Sequence, residues 1–218
     1  MVKHFRSKQA FTFNDKPIKL NIIMSLKFQN TTADYLEWDS NILLISKLYQ
    51  DQNYKFSLLI ALGSFFGTRI SDILNLKWCD ILNTDILTII EKKTKKQRTI
   101  KINDQLKKHI QSCYKEIKPL SPNDYIFTSQ KGSVYSVQRI NVVFKEIRVR
   151  YNLKIKNIST HSMRKTFGRQ VYNNAGSNAE LALVKLSELF NHSDVRTTRK
   201  YLGLRSEELM EAYDLLSF

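Results

Sequence analysis

At 218 residues the chain is long enough for one domain with a substantial core, or one domain plus a short extension. Its 42% apolar and 25% charged residues are ordinary for a globular protein, but 35 Lys and Arg against 20 Asp and Glu leave a net charge of +15. That excess favours a polyanionic partner, because each phosphate met by a cation releases condensed counterions.

Residues 1–33 are polar and weakly patterned, apart from a short apolar piece at Leu20–Leu26. The basic N-terminus has no apolar run behind it, which argues against a secretory signal. From Asp34 a helical period takes over, with Leu36, Ile42, Leu43, Ile45, Leu48 and Tyr49 on one face. Residues 54–66 are apolar nearly all round, which predicts a central core helix; the run is too short to cross a bilayer. A further helix is expected after Arg69, carrying Ile73, Leu74 and Leu76.

The pattern then changes. Two β-branched runs flank Lys92-Lys93-Thr94-Lys95-Lys96-Gln97-Arg98, which predicts an antiparallel hairpin with a basic tip. Asn103 can cap a helix with Leu106, Ile110, Cys113 and Ile117 inside, and Pro119 and Pro122 lie beyond its end. Tyr125–Phe127 reads as extended. Helices are expected at about 136–151, 160–175, 178–190, 194–202 and 206–217. Thr160 is the expected cap of the second, and Ser177-Asn178-Ala179-Glu180 reads as a capping box for the third. The fold class is therefore mainly α with a small antiparallel sheet. Two cysteines, Cys79 and Cys113, in helical or core patterns suggest a reducing cytoplasm and no disulfide scaffold or zinc finger.

Four segments carry candidate chemistry. In Gly67-Thr68-Arg69-Ile70-Ser71-Asp72 an arginine leaves a core helix, and Asp72, three residues on, could orient its guanidinium; a surface ion pair is the competing reading. The hairpin tip suits a phosphate backbone, or is a solvated turn. In Thr160-His161-Ser162-Met163-Arg164-Lys165-Thr166, His161 and Arg164 fall one turn apart near a helix N-terminus, where free N–H groups suit a phosphate. In the segment Leu189–Gly203, His192 and Tyr201 are nine residues apart, about 900° on an ideal helix. They can meet only if the chain turns, and Asn191-His192-Ser193-Asp194 supplies a turn and N-cap.

Together these residues supply what phosphodiester transfer without a metal requires. Guanidinium forks neutralise nonbridging oxygens, histidine moves protons, lysine protonates a leaving alkoxide and tyrosine attacks. No carboxylates stand at metal-binding spacing, and no cofactor is expected.

The order Arg69, Lys93, His161-x-x-Arg164, His192 and Tyr201 resembles the tyrosine recombinase (phage integrase) family. The likeness runs over about residues 36–216. Gly67–Leu76 is similar to its first arginine box, His161–Phe167 to its H-x-L-R-x-T-F box, and Asn191-His192-Ser193 with Thr197-Thr198-x-x-Tyr201 to its GHS…TT…Y box. Asn191 stands where the family has glycine. The resemblance implies a catalytic domain at 36–218 with a C-terminal helix at 206–218, and residues 1–35 as an extension or linker remnant. That leaves too little chain for the usual N-terminal core-binding clamp, as in a domain piece or a short recombinase.

The resemblance also implies roles. Tyr201 forms a 3′-phosphotyrosine, Arg69 and Arg164 clamp the phosphate with His192, His161 is the base and Asp72 a support. Lys93 is the acid, with Lys95 and Lys96 as open alternatives. Lys92, Lys95, Lys96, Arg98, Lys165 and Arg199 are the expected DNA contacts. The implied partners are double-stranded DNA bearing specific sites, a homotetramer on synapsed DNA and accessory DNA-bending proteins, in a cytoplasmic, nucleoid-associated setting. A type IB topoisomerase, a non-catalytic DNA binder and a ribonuclease are the competing functions.

Overall fold

The computed structural model describes residues 32–215; Leu20–Leu26, most of the expected N-terminal extension and Leu216 lie outside them. Helix α1 (Trp38–Gln50) turns through Gln52, at φ 60°, into α2 (Tyr54–Phe66). Ten of the 13 residues of α2 are buried, as its all-round apolar sequence predicts. It packs between α1, α5 (Asp104–Ile117) and α7 (Thr160–Asn174). Its two buried serines are both bonded, Ser57 Oγ to the Ile45 carbonyl of α1 at 2.7 Å and Ser64 Oγ to the Ile60 carbonyl one turn back at 2.8 Å.

Helix α2 stops at Gly67, whose φ of 57° suits glycine. A β-carbon there would lie 2.3 Å from Phe167 Cδ1, so the close approach to α7 also requires glycine. The helix expected after Arg69 is a single turn, α3 (Ile70–Ile73). The Asn75 side chain donates to the Ser71 carbonyl at 2.5 Å, competing with helix continuation. Leu74 and Leu76 are buried all the same, and a second short helix, α4 (Trp78–Ile81), follows.

Strands β1 (Ile86–Ile90) and β2 (Gln97–Lys101) pair antiparallel with Leu87 opposite Ile100, the hairpin's two buried anchors. Asn103 caps α5, accepting from the Leu106 amide at 2.9 Å, and Leu106, Ile110 and Cys113 are buried. Tyr125 bridges Lys77, so the extended piece at 125–127 augments the core edge without joining the hairpin.

Helices α6 (Val137–Arg150), α7, α8 (Ala179–Phe190), α9 (Val195–Leu202) and α10 (Leu204–Asp214) complete the described fold. Two expected caps are corrected. Ser159, not Thr160, caps α7, its hydroxyl accepting from the His161 amide while its own amide donates to Ser162 Oγ. Ser177 lies in a 3₁₀ turn, Gly176–Asn178, and Asn178 makes no side-chain cap bond to α8.

The apolar interior has two parts. The larger surrounds α2 and includes Met163 of α7; the smaller joins Leu183, Leu186, Phe190, Leu202 and Leu204, with Phe167 and Tyr201 packed against it. Helix α7 therefore contributes to both. Among the described residues no helix is long and apolar enough to cross a membrane.

Candidate active site

Helix α8 ends at Phe190, and Asn191 caps it with φ 51°, a left-handed angle that asparagine tolerates. Asp194 then starts α9 by accepting from the Thr197 amide at 2.6 Å. This reversal brings His192 and Tyr201 together, ring centroids 5.2 Å apart, where one continuous helix would have separated them. The His161 ring lies 6.5 Å from the Tyr201 ring, and that of Phe190 lies 5.6 Å away.

Both arginines converge on one carbonyl. Arg164 Nη2 donates to Phe190 O at 2.8 Å and Arg69 Nη2 reaches the same oxygen at 3.5 Å. Arg164 is 4% exposed, and its guanidinium carbon sits 4.4 Å from the Phe190 ring centroid. Arg164 Nη1 and Tyr201 Oη are buried, and neither has a hydrogen-bond partner among the described residues. An anionic oxygen could accept from both, and buried polar groups left unpaired are costly.

Electrostatics follow from this crowding. Burial pushes the Tyr201 phenol up to about 12, against the pull of Arg164 and Arg69. Burial, then Arg164 and Arg69, depresses His192 to about 4. His192 Nδ1 is 2.9 Å from Thr198 Oγ1, which fixes the ring. His161, more open to solvent, is also held below its ordinary value, by burial first and then by Arg164, Lys165, Arg69 and Lys93. Both imidazoles are thus neutral at pH 7 in this state.

The supporting residues differ from expectation. Arg69 pairs with Glu91 Oε2 at 2.7 Å, not with Asp72, whose Oδ1 instead accepts from the Lys92 amide at 2.9 Å. The carboxylate three residues on is turned toward the hairpin. Glu91 has a 4% exposed side chain and was not among the expected residues. Burial raises its carboxyl pKa, but the Thr94 hydroxyl, Arg69 and Arg98 outweigh this and hold it below the usual range.

Arg98, expected as a DNA contact, points inward, donating to Leu189 O at 2.8 Å and Phe66 O at 2.7 Å. Lys165 is 8% exposed with its ammonium 5.2 Å from the Tyr201 ring centroid, beneath the tyrosine instead of on the outer surface. Arg199 pairs with Glu180 across α8 and α9. Lys96 Nζ reaches Asn191 Oδ1 at 2.9 Å, while Lys92, Lys93 and Lys95 are exposed at the tip. No group of three or more His, Cys, Asp and Glu among the described residues could hold a metal ion.

The model of the phage integrase family matches residues 41–208. A probable integrase/recombinase of Bacillus subtilis, YoeC, is 33% identical over 165 residues, covering 75% of this chain and 85% of that protein. The tyrosine recombinase XerD of Rickettsia prowazekii is 26% identical over 232 residues, 97% of this chain and 73% of the relative. In fold, the crystal structure of XerA recombinase is similar with a TM-score of 0.65 at 22% identity, over 87% of this chain and 68% of that one. XerH bound to its difH substrate after cleavage gives 0.61 at 23% identity, over 85% and 54%.

Proposed function

The chain belongs to the phage integrase family of site-specific DNA breaking and rejoining enzymes, and from that premise we propose that Tyr201 is its nucleophile, acting within the cluster described above. The reading rests chiefly on one observation: the buried, unpartnered Tyr201 Oη and Arg164 Nη1 share one neighbourhood with two histidines and a second arginine.

In the proposed reaction a scissile phosphate enters between Arg69 and Arg164, whose donors neutralise its nonbridging oxygens as charge builds. His192 adds a hydrogen bond. His161 takes the phenolic proton, Tyr201 Oη bonds to phosphorus, and the bond from phosphorus to the 5′-oxygen breaks. Lys93 protonates that oxygen, leaving a 3′-phosphotyrosine and a free 5′-hydroxyl. A 5′-hydroxyl from another strand reverses the sequence. One phosphodiester replaces another, so no external energy is consumed. Lys93 is among the cations whose charge lowers the His161 pKa, which supports it as the acid. The incoming phosphate also offsets the cations that depress both histidines, so substrate binding strengthens His161 as a base.

The proposed partner is double-stranded DNA, reached through the exposed tip lysines, with assembly on paired sites as a tetramer aided by DNA-bending proteins. The apolar residues of α10 suit such assembly: Leu209, Met210 and Tyr213 are 57%, 65% and 69% exposed. On this reading the catalytic domain begins near residue 36, where the Leu36 amide and carbonyl both bond the Thr166 hydroxyl. Incubation with two DNA sites on separate duplexes tests the function. Joined strands are the expected product; relaxed circles from a single site, or binding without cleavage, would contradict it.

A further inference from the structure

Glu91 does not belong to the motifs that carry the chemistry, and in sequence it stands at the edge of a lysine run where a carboxylate would ordinarily be solvated. The fold buries it. Taking a carboxylate out of water costs several kcal/mol unless its oxygens are met. Oε2 accepts from Arg69 Nη1 and from Thr94 Oγ1, each at 2.7 Å, and Oε1 faces Arg98 Nη1 at 3.6 Å. Its backbone closes the turn as well, the amide donating to Lys96 O at 3.0 Å and the carbonyl accepting from the Lys95 amide at 2.9 Å.

Arg98 is anchored independently by the carbonyls of Leu189 and Phe66, at the ends of α8 and α2. Among the described residues the Arg69 side chain donates otherwise only to Phe190 O, at 3.5 Å, so Glu91 gives it its shorter and charged bond. Thr94, the second donor to Oε2, is the residue next to Lys93. One carboxylate therefore joins the guanidinium that would meet the phosphate to the turn that carries the proposed acid.

We propose that Glu91 is a positioning residue for strand cleavage, seating Arg69 and holding the Lys93 turn at a fixed place beside it. The proposal rests on the roles given above to Tyr201 and Lys93. It goes beyond a structural ion pair because it predicts a defect tied to the leaving group.

The test uses the full chain, as wild type, Glu91→Gln, Glu91→Asp and Lys93→Ala. Each is run on a nicked duplex with an ordinary scissile phosphate and on one with sulfur in place of the bridging 5′-oxygen. A thiolate leaves without protonation, so loss of a placed acid matters less on the sulfur substrate. Glu91→Gln should bind DNA within about threefold of wild type yet cleave the ordinary duplex about 10- to 100-fold more slowly, the scale expected when a reacting group is misplaced. At least about threefold of that loss should return on the sulfur duplex, with Glu91→Asp intermediate on the ordinary one.

Cleavage by Glu91→Gln at close to the wild-type rate would overturn the proposal. So would an equal loss on both duplexes, with or without a lower melting temperature. The controls separate the underlying assignments. If wild type forms no adduct, the nucleophile reading fails. If sulfur does not relieve Lys93→Ala, the role of Lys93 fails, and the hairpin half of this proposal with it.

Discussion

Arg164 donates to the carbonyl of Phe190 at 2.8 Å while its guanidinium carbon lies 4.4 Å from the ring of the same residue. The last residue of α8 thus holds the arginine from two sides and leaves Nη1, on the other arm of the fork, buried without a hydrogen-bond partner among the described residues. A lysine could serve one of these purposes but not both, because its ammonium is a single point with no fork. Arg164→Lys should reduce the single-turnover cleavage rate by about 10²- to 10³-fold, the scale of losing one oxyanion donor. DNA binding should change far less. A rate within tenfold of wild type would show that the second donor is not used.

Acid should destabilise the fold through its histidines. The pKa values of His109, His161 and His192 are all lowered in the folded state, His192 to about 4 from an ordinary 6.5. Between those values the unfolded chain binds more protons than the folded one, so stability rises with pH through the window and is lost as pH falls from 6.5 toward 4. His192→Gln should give a shallower fall in melting temperature over that range than wild type. Parallel curves would mean that the His192 ring is charged in the fold.

Gly67 is constrained twice, by its φ of 57° and by the Phe167 ring 2.3 Å from where a β-carbon would sit. Gly67→Ala should cost about 2–4 kcal/mol in chemical denaturation, summing left-handed strain and overpacking. Because Arg69 follows two residues later, cleavage should fall even at temperatures where the variant is fully folded. A loss under about 0.5 kcal/mol, the range of ordinary surface changes, would contradict the close packing of α2 on α7.

Helix α10 has two ends with different jobs. Leu204 is buried and Glu207 forms a two-point ion pair with Arg169, at 2.7 and 2.9 Å, whereas Leu209, Met210 and Tyr213 face outward. Cutting from residue 206 would strip Arg169 of its carboxylate partner, so removal of 209–218 is the cleaner change. That truncation should leave the melting temperature within a few degrees while abolishing higher-order complexes on DNA in sedimentation. A large loss of stability would place the outward residues against their own domain.

Much of the candidate site's geometry is legible in the sequence because its residues sit at helix ends that announce themselves. Asn191 and Asp194 mark the reversal that joins His192 to Tyr201, and Gly67 marks the exit from α2 just before Arg69. What sequence spacing could not supply was partnership across the chain. Asp72 lies one turn from Arg69 and reads as its support, yet Glu91, 22 residues away, reaches the guanidinium from the hairpin. Arg98 and Lys165 read as surface cations because charge patterning carries no direction; backbone carbonyls and an aromatic face draw them inward. The helix after Arg69 is shorter than its pattern suggests because Leu74, in a turn, and Leu76, beyond it, are buried without being helical.

The most direct test of the account is the chemical identity of the residue joined to DNA. The full chain would be trapped on a nicked duplex, digested with nuclease and trypsin, and read by mass spectrometry. Trypsin should release Tyr201–Arg205 as a short peptide. The account predicts a nucleotide phosphate on that peptide, linked through the tyrosine, and no adduct from Tyr201→Phe, which still binds the duplex. A nucleotide on any other residue, or an adduct that persists in Tyr201→Phe, would contradict it.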